Sequence, residues 1–227
     1  MLRKLFFKSI LHQDMYPNKR GSLKTVYRYM NDEDHINQFL KGRIRISTLE
    51  ACRSYENQEM GDKEEAQEVY TVNYMASGDP NFFKKSEKLR LFLPCAPGSV
   101  IENCSVINHL PNGFLICTTN RRDDEKFSKD FGRFCIKIND SERFFQIVTQ
   151  AIRKKFDLLG GHHEKVTYQA QKYSDDELPP GKIGFVKRTR YQWQDEYRFL
   201  WLPNNSDIGT HLLIDVPEIK YLCERVL

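Results

Sequence analysis

An α+β fold, with mostly antiparallel mixed sheets and a few flanking helices, is what this sequence predicts, on three observations. From Trp193 to Leu202 the residues WQDEYRFLWL alternate with period two, as in a half-buried strand. Residues 23–48 order a strand, a short helix and a second strand. Ser141 to Leu159 sets Phe144, Ile147, Val148, Ala151 and Ile152 at helical spacing, a core stripe on the longest helix expected.

In the first stretch Tyr197, Phe199 and Trp201 are expected on one side with Trp193. Gln194, Glu196 and Arg198 are expected on the other, followed by Leu200 and Leu202. In the second, LKTVYRYM (Leu23–Met30) reads as a strand with Tyr27 and Tyr29 on one face and Val26 and Arg28 on the other. Asn31 or Asp32 caps the next helix, Glu33 and Asp34 occupy its first turn, and Lys41-Gly42 ends it. Arg43 to Thr48 then reads as a strand with Ile44 and Ile46 inward and Ser47 outward.

The remaining chain is read more coarsely. Residues 2–11 suit a docking helix, and the connector after it runs to residue 22. Leu49 to Ala66 reads as an ordered polar loop. Val69 to Met75, a segment within Asn81–Leu93, and Gly132 to Ile138 read as strands. Ser105–Leu110 and Phe114–Thr119 flank Pro111-Asn112-Gly113, a hairpin signal. His162 and His163 follow two glycines and read as loop residues. Val166–Tyr173 and Thr210–Val216 read as strands and Glu218–Arg225 as a terminal helix. Nothing forces a second domain, so 1–227 is expected to form one.

Composition narrows the function classes. Of 227 residues 40% are hydrophobic and 29% charged, which excludes a disordered chain. No apolar run is long enough to span a membrane, and Met1 to Met15 lacks the features of a secretory signal. Six cysteines without CxxC spacing point to reduced thiols in the cytoplasm, not to zinc. The net charge of +4 permits an acidic or nucleic-acid partner. Phosphate loops of the GxGxxG and GxxxxGK[ST] types are absent.

Gln194-x-Glu196 resembles the third motif of the ADP-ribosyltransferase superfamily. The wider pattern Lys187, Tyr191, Gln194, Glu196, Tyr197, Arg198, Phe199 is similar to a bacterial domain family of unassigned function. That family also has counterparts of Arg53, Glu56, Gly61, Asp62 and Glu65. Tyr27-Arg28 on a first strand and Ser47-Thr48 ending a second resemble the opening of such transferases, over a core of residues 23–202. The resemblance implies an NAD-dependent mono-ADP-ribosyltransferase, acting in toxin or antiviral defence, that modifies a protein amide or a nucleic-acid base. It implies NAD as substrate and an acceptor protein or nucleic acid as partner, with room for an antitoxin.

The roles it implies are specific. Glu196 stabilises the charge that builds on the ribose as the nicotinamide bond breaks, and Gln194 orients the acceptor. Arg28 holds a phosphate. Ser47 or Thr48 supports the ribose or Glu196, with Thr118 and Thr119 as alternatives for this middle motif. One of Tyr27, Tyr29 and Tyr191 stacks on nicotinamide. Arg198, two residues beyond Glu196 on the same face, is placed to neutralise it. Two other classes are a non-catalytic nucleotide- or nucleic-acid-binding module, and a nuclease built on Glu56, Asp62 and Glu65.

Overall fold

The computed structural model describes residues 24–55, 61–89, 96–170, 172–174, 177 and 181–227, which form two compact units. The N-terminal docking helix and Glu56 lie outside the described residues.

The larger unit, from described residues within 24–65, 111–166 and 191–227, is an antiparallel sheet with helices against it. Its strands are β1 (Val26–Met30), β2 (Arg43–Thr48), β5 (Phe114–Thr119), β6 (Phe134–Ile138), β7 (Leu158–Lys165), β11 (Glu196–Pro203), β12 (His211–Asp215) and β13 (Cys223–Arg225). The order is β12-β2-β5-β1-β6-β13, with β11 against β5 and β7 against β11. One face carries Val26, Ile44, Ile46, Phe114, Ile116, Ile136, Tyr197, Phe199 and Trp201 into the core.

Two helices close that face. In α1 (Glu33–Leu40) the Asp32 carboxylate accepts from Asp34 N at 2.8 Å and His35 N at 3.2 Å, satisfying two N-terminal donors, while Ile36 and Phe39 are buried. Asp140 caps α5 (Ser141–Arg153), whose Phe144, Val148 and Ile152 are buried. This helix ends six residues before Leu159, because Leu158 already pairs with Pro203 in the ladder. Gly160 and Gly161 belong to β7: a Cβ on Gly161 would come within 2.7 Å of the Trp201 indole, so the glycine admits the ring.

His162 and His163 are therefore strand residues, not loop residues. His163 Nδ1 lies 2.8 Å from Tyr197 Oη, Nε2 lies 3.1 Å from Glu142, and the ring stacks on Phe199. Burial, opposed by Glu142, pulls its pKa below the ordinary 6.5. Below that value the unfolded chain binds a proton that the folded chain resists, so stability is complete above about pH 6.5 and falls with acidification. Urea midpoints measured from pH 7.5 down to pH 5 should decline, and His163→Gln should flatten that decline.

Three further expectations are corrected here. Pro111-Asn112-Gly113 does not turn a hairpin: Gly113 O accepts from Leu49 N at 2.9 Å and Asn112 Oδ1 accepts from Glu50 N at 3.1 Å. The segment thus anchors α2 (Leu49–Ser54), which occupies part of the expected loop. The terminal helix is a short 3-10 turn (Pro217–Tyr221) followed by β13, which pairs with β6 and satisfies its edge. The strand expected from Trp193 starts at Glu196; Thr189–Gln194 is a 3-10 turn and Asp195 takes φ +40°.

The smaller unit, within 66–110 and 167–190, pairs β3 (Gln67–Ala76) antiparallel with β4 (Val100–His109) and parallel with β9 (Lys172–Ser174). Its core contains Tyr70, Val72, Met75, Phe82, Leu89 and Tyr173. Residues Phe82–Lys88 form α3, not a strand, since Phe82, Ser86 and Leu89 are buried at helical spacing. The single strand expected at Val166–Tyr173 is two short ones, β8 (Thr167–Tyr168) pairing with β10 (Val186–Lys187), and β9. Lys187, the first residue of the pattern that runs to Phe199, is buried in β10.

Candidate functional site

Strand β5 organises the candidate site. Along one edge it pairs with β11 from Phe114 to Thr119. Along the other it pairs with β2 at Phe114 and Leu115 and with β1 at Thr119. Strands β1 and β2 therefore part beside Ile116–Thr118 and leave a split next to the most central strand of the unit.

Cys117 is exposed beside that split, although its neighbours on β5 are buried. Register puts it opposite Arg198, on the same face as Glu196, Thr119 and Leu115. An exposed side chain in mid-sheet marks an opening, and Cys117 forms its floor. Cys135 and Cys223 differ: both are buried, and burial pushes their thiols up to about 11 and about 12. Maleimide applied to the folded protein should label Cys117 well before either, which peptide mapping would read directly.

Arg28 sits at the split. Its backbone is in register with Ile136, hence on the core side, yet its Nη2 donates to Arg45 O over a long 3.4 Å. The guanidinium stands 5.6 Å from the Phe39 ring. Nη1 is buried and, among the described residues, has no hydrogen-bond partner. Burial lowers its pKa, with Cys117 opposing and Arg45 assisting. Among the described residues no carboxylate pairs with Arg28. A buried donor left unsatisfied costs about 1–3 kcal/mol or more, and an anion at the split would remove that cost.

On the other side of Cys117 is a closed ionic cluster. Arg198 is fully buried, and Glu196 and Glu65 are 4% and 3% exposed. Arg198 Nε donates to Glu196 Oε1 at 2.6 Å and Nη2 to Glu196 Oε2 at 3.2 Å. Nη1 donates to Glu65 Oε1, and Nη2 to Glu65 Oε2 at 2.9 Å. Against burial, which works to lower it, Glu196 and Glu65 hold the guanidinium pKa well above its ordinary value. Glu65 is fixed in turn: its carbonyl accepts from Arg53 Nε at 3.0 Å. The counter-charge expected between Arg198 and Glu196 is thus present, with a second carboxylate added.

The other sequence candidates fall into three groups. Ser47 is half-buried and in register with Leu115, on the face of Cys117. Thr48 is buried on the opposite face, where Oγ1 caps α2 by accepting from Ala51 N and donates to Thr210 O. Thr118 and Thr119 donate to Tyr197 O and Asp195 O, so these hydroxyls serve the sheet.

Gln194 is buried at the end of the 3-10 turn and does not share a strand face with Glu196. The cause is the left-handed Asp195 between them, which breaks the two-residue period. Tyr191 is buried and donates to Gly61 O at 3.2 Å. Tyr29 donates to Asp124 at 2.7 Å and stacks on Phe127, which commits it to α4 (Asp124–Asp130). Tyr27, half-buried and in register with Thr119, lies on the face of Cys117. Sequence reasoning missed Cys117; its context FLICTT reads as a buried strand and holds no signal of the split.

Asp62 and Glu65, two of the three nuclease candidates, are buried. Among the described residues no group of three or more His, Cys, Asp or Glu side chains is placed to hold a metal ion. No helix of the described residues is long and apolar enough to cross a membrane. Comparison with protein-family models, curated proteins and solved structures returned no match.

Proposed function

We propose that this protein binds a nucleotide at the split between β1 and β2, with NAD the ligand to test first, on a scaffold of ADP-ribosyltransferase-like build. The observation that carries this reading is the buried Nη1 of Arg28, without a hydrogen-bond partner among the described residues, at the split that also exposes Cys117. A guanidinium without a counter-carboxylate in such a place suits a phosphate. Tyr27 and Ser47 share the floor's face and are available for the rest of the ligand.

In this reading the nucleotide is held and not cleaved, because both Glu196 oxygens are occupied by Arg198 in a nearly closed environment. Calorimetry with NAD tests it. Arg28→Ala should weaken binding about 10- to 100-fold, the worth of a charge-assisted contact. NAD binding that ignores Arg28→Ala would remove the split as its site.

A second reading is mono-ADP-ribosyl transfer to a protein amide or nucleic-acid base. It is favoured by one observation: Glu196, opposite Thr119, is on the same face as Cys117 and two residues along the ladder from it. Release of nicotinamide above the spontaneous rate, with labelled ADP-ribose on an added protein or nucleic acid, would select this reading over binding alone.

A further inference from the structure

Arg198 and Cys117 stand directly opposite one another on β11 and β5, on one face of the sheet. Residues so paired lie about 5 Å apart, yet Cys117 is exposed and Arg198 is fully buried. Depth in the sheet does not separate two such neighbours, so Arg198 is hidden by what lies over it. On its Nη1 and Nη2 edge that is the Glu65 carboxylate.

Glu65 ends the segment 61–65, GDKEE, which has no apolar side chain. Polar contacts hold it: Tyr191 Oη donates to Gly61 O at 3.2 Å, Asp62 N to Cys52 O at 3.3 Å and Arg53 Nε to Glu65 O at 3.0 Å. Such a segment gives up little apolar burial when it lifts. Water then solvates the charges it releases, whereas a truncation orphans a charge in place. The next residue, Ala66, takes φ +55°, a left-handed conformation that an L side chain rarely adopts, so the exit of the segment is strained.

A carboxylate seated across a guanidinium fork holds the place that a phosphate would take. We propose that residues 61–65 are an autoinhibitory strap, in which Glu65 is an internal anion on the edge of Arg198 that a phosphate of the ligand would otherwise occupy. Lifting the strap extends the open floor from Cys117 to Arg198. The strap rests on the nucleotide reading for its ligand and adds regulation to that site.

Amide exchange on the full chain, with and without NAD, tests the strap. In the wild type, amides 62–65 should exchange at least about 10-fold faster than those of β5 and β11. Saturating NAD should speed them further, the reverse of the protection that a ligand ordinarily confers. Glu65→Gln keeps the shape and removes the charge; it should raise NAD affinity in calorimetry about 10-fold, because a closed fraction no longer has to be displaced. Glu64→Gln takes an equal charge from the same segment and should change that affinity less than about 2-fold, which separates a latch from general charge repulsion.

Exchange at 62–65 no faster than in the sheet overturns the strap. NAD binding that Glu65→Gln leaves unchanged also overturns it, and keeps the nucleotide reading. If neither protein binds NAD but inorganic phosphate binds Glu65→Gln at least about 10-fold more tightly than the wild type, the strap stands and the nucleotide reading falls. Failure of both ligands to bind either protein removes both.

Discussion

Replacing Arg198 by Met should lower folding stability by about 3–5 kcal/mol, the usual cost of leaving one side of a buried ion pair uncompensated. Two carboxylates, Glu65 and Glu196, face the one guanidinium and none of the three is more than 4% exposed. Without Arg198 the carboxylates must either stay charged against one another or take up protons. The loss should therefore be larger at pH 8 than at pH 5, where protonation is easier. Urea denaturation of Arg198→Met alone, and combined with Glu65→Gln and Glu196→Gln, gives the check. The triple variant should recover more than half of the loss, since neutral amides need no counter-charge. A single-variant loss under about 1 kcal/mol would mean that the cluster is open to solvent.

Glu196→Gln should separate the scaffold role of this carboxylate from any chemical one. Among the described contacts Arg198 faces two carboxylates, so neutralising Glu196 leaves its pairing with Glu65 in place. The expected stability loss is about 1–2 kcal/mol, less than for Arg198→Met, because one charge-assisted interaction is weakened and no charge is orphaned. NAD affinity should stay within about two-fold. For a transferase the outcome differs in kind: losing a contact made to developing charge lowers turnover about 100- to 1000-fold while binding persists. Nicotinamide release in the wild type, removed by this one change, would therefore overturn binding without cleavage.

Much of the fold is legible in local signals. Asp32, one of the two residues expected to do so, caps its helix. Tyr197, Phe199 and Trp201 enter the core together, and Ile44 and Ile46 do so on β2. Each of these rests on interactions within a few residues, where periodicity and capping act. The misreadings have separate causes. At Pro111-Asn112-Gly113 a correct turn signal serves α2 in place of a hairpin, through Leu49 and Glu50, about sixty residues earlier in the chain. At Gln194 a correct two-residue period stops one residue short, because the left-handed Asp195 interrupts it.

The candidate site divides in the same way. By itself the sequence determined an α+β chain with alternating strands, placed Arg28 on the opposite face of β1 from Tyr27 and Tyr29, and placed Arg198 beside Glu196. Tertiary structure alone decided that Arg198 is also claimed by Glu65, 133 residues away, and that β1 and β2 diverge beside β5 to expose Cys117. The physical reason is range. Backbone periodicity and caps act over a turn or a strand pair, whereas ionic closure and a split in a sheet depend on which distant segments share an edge.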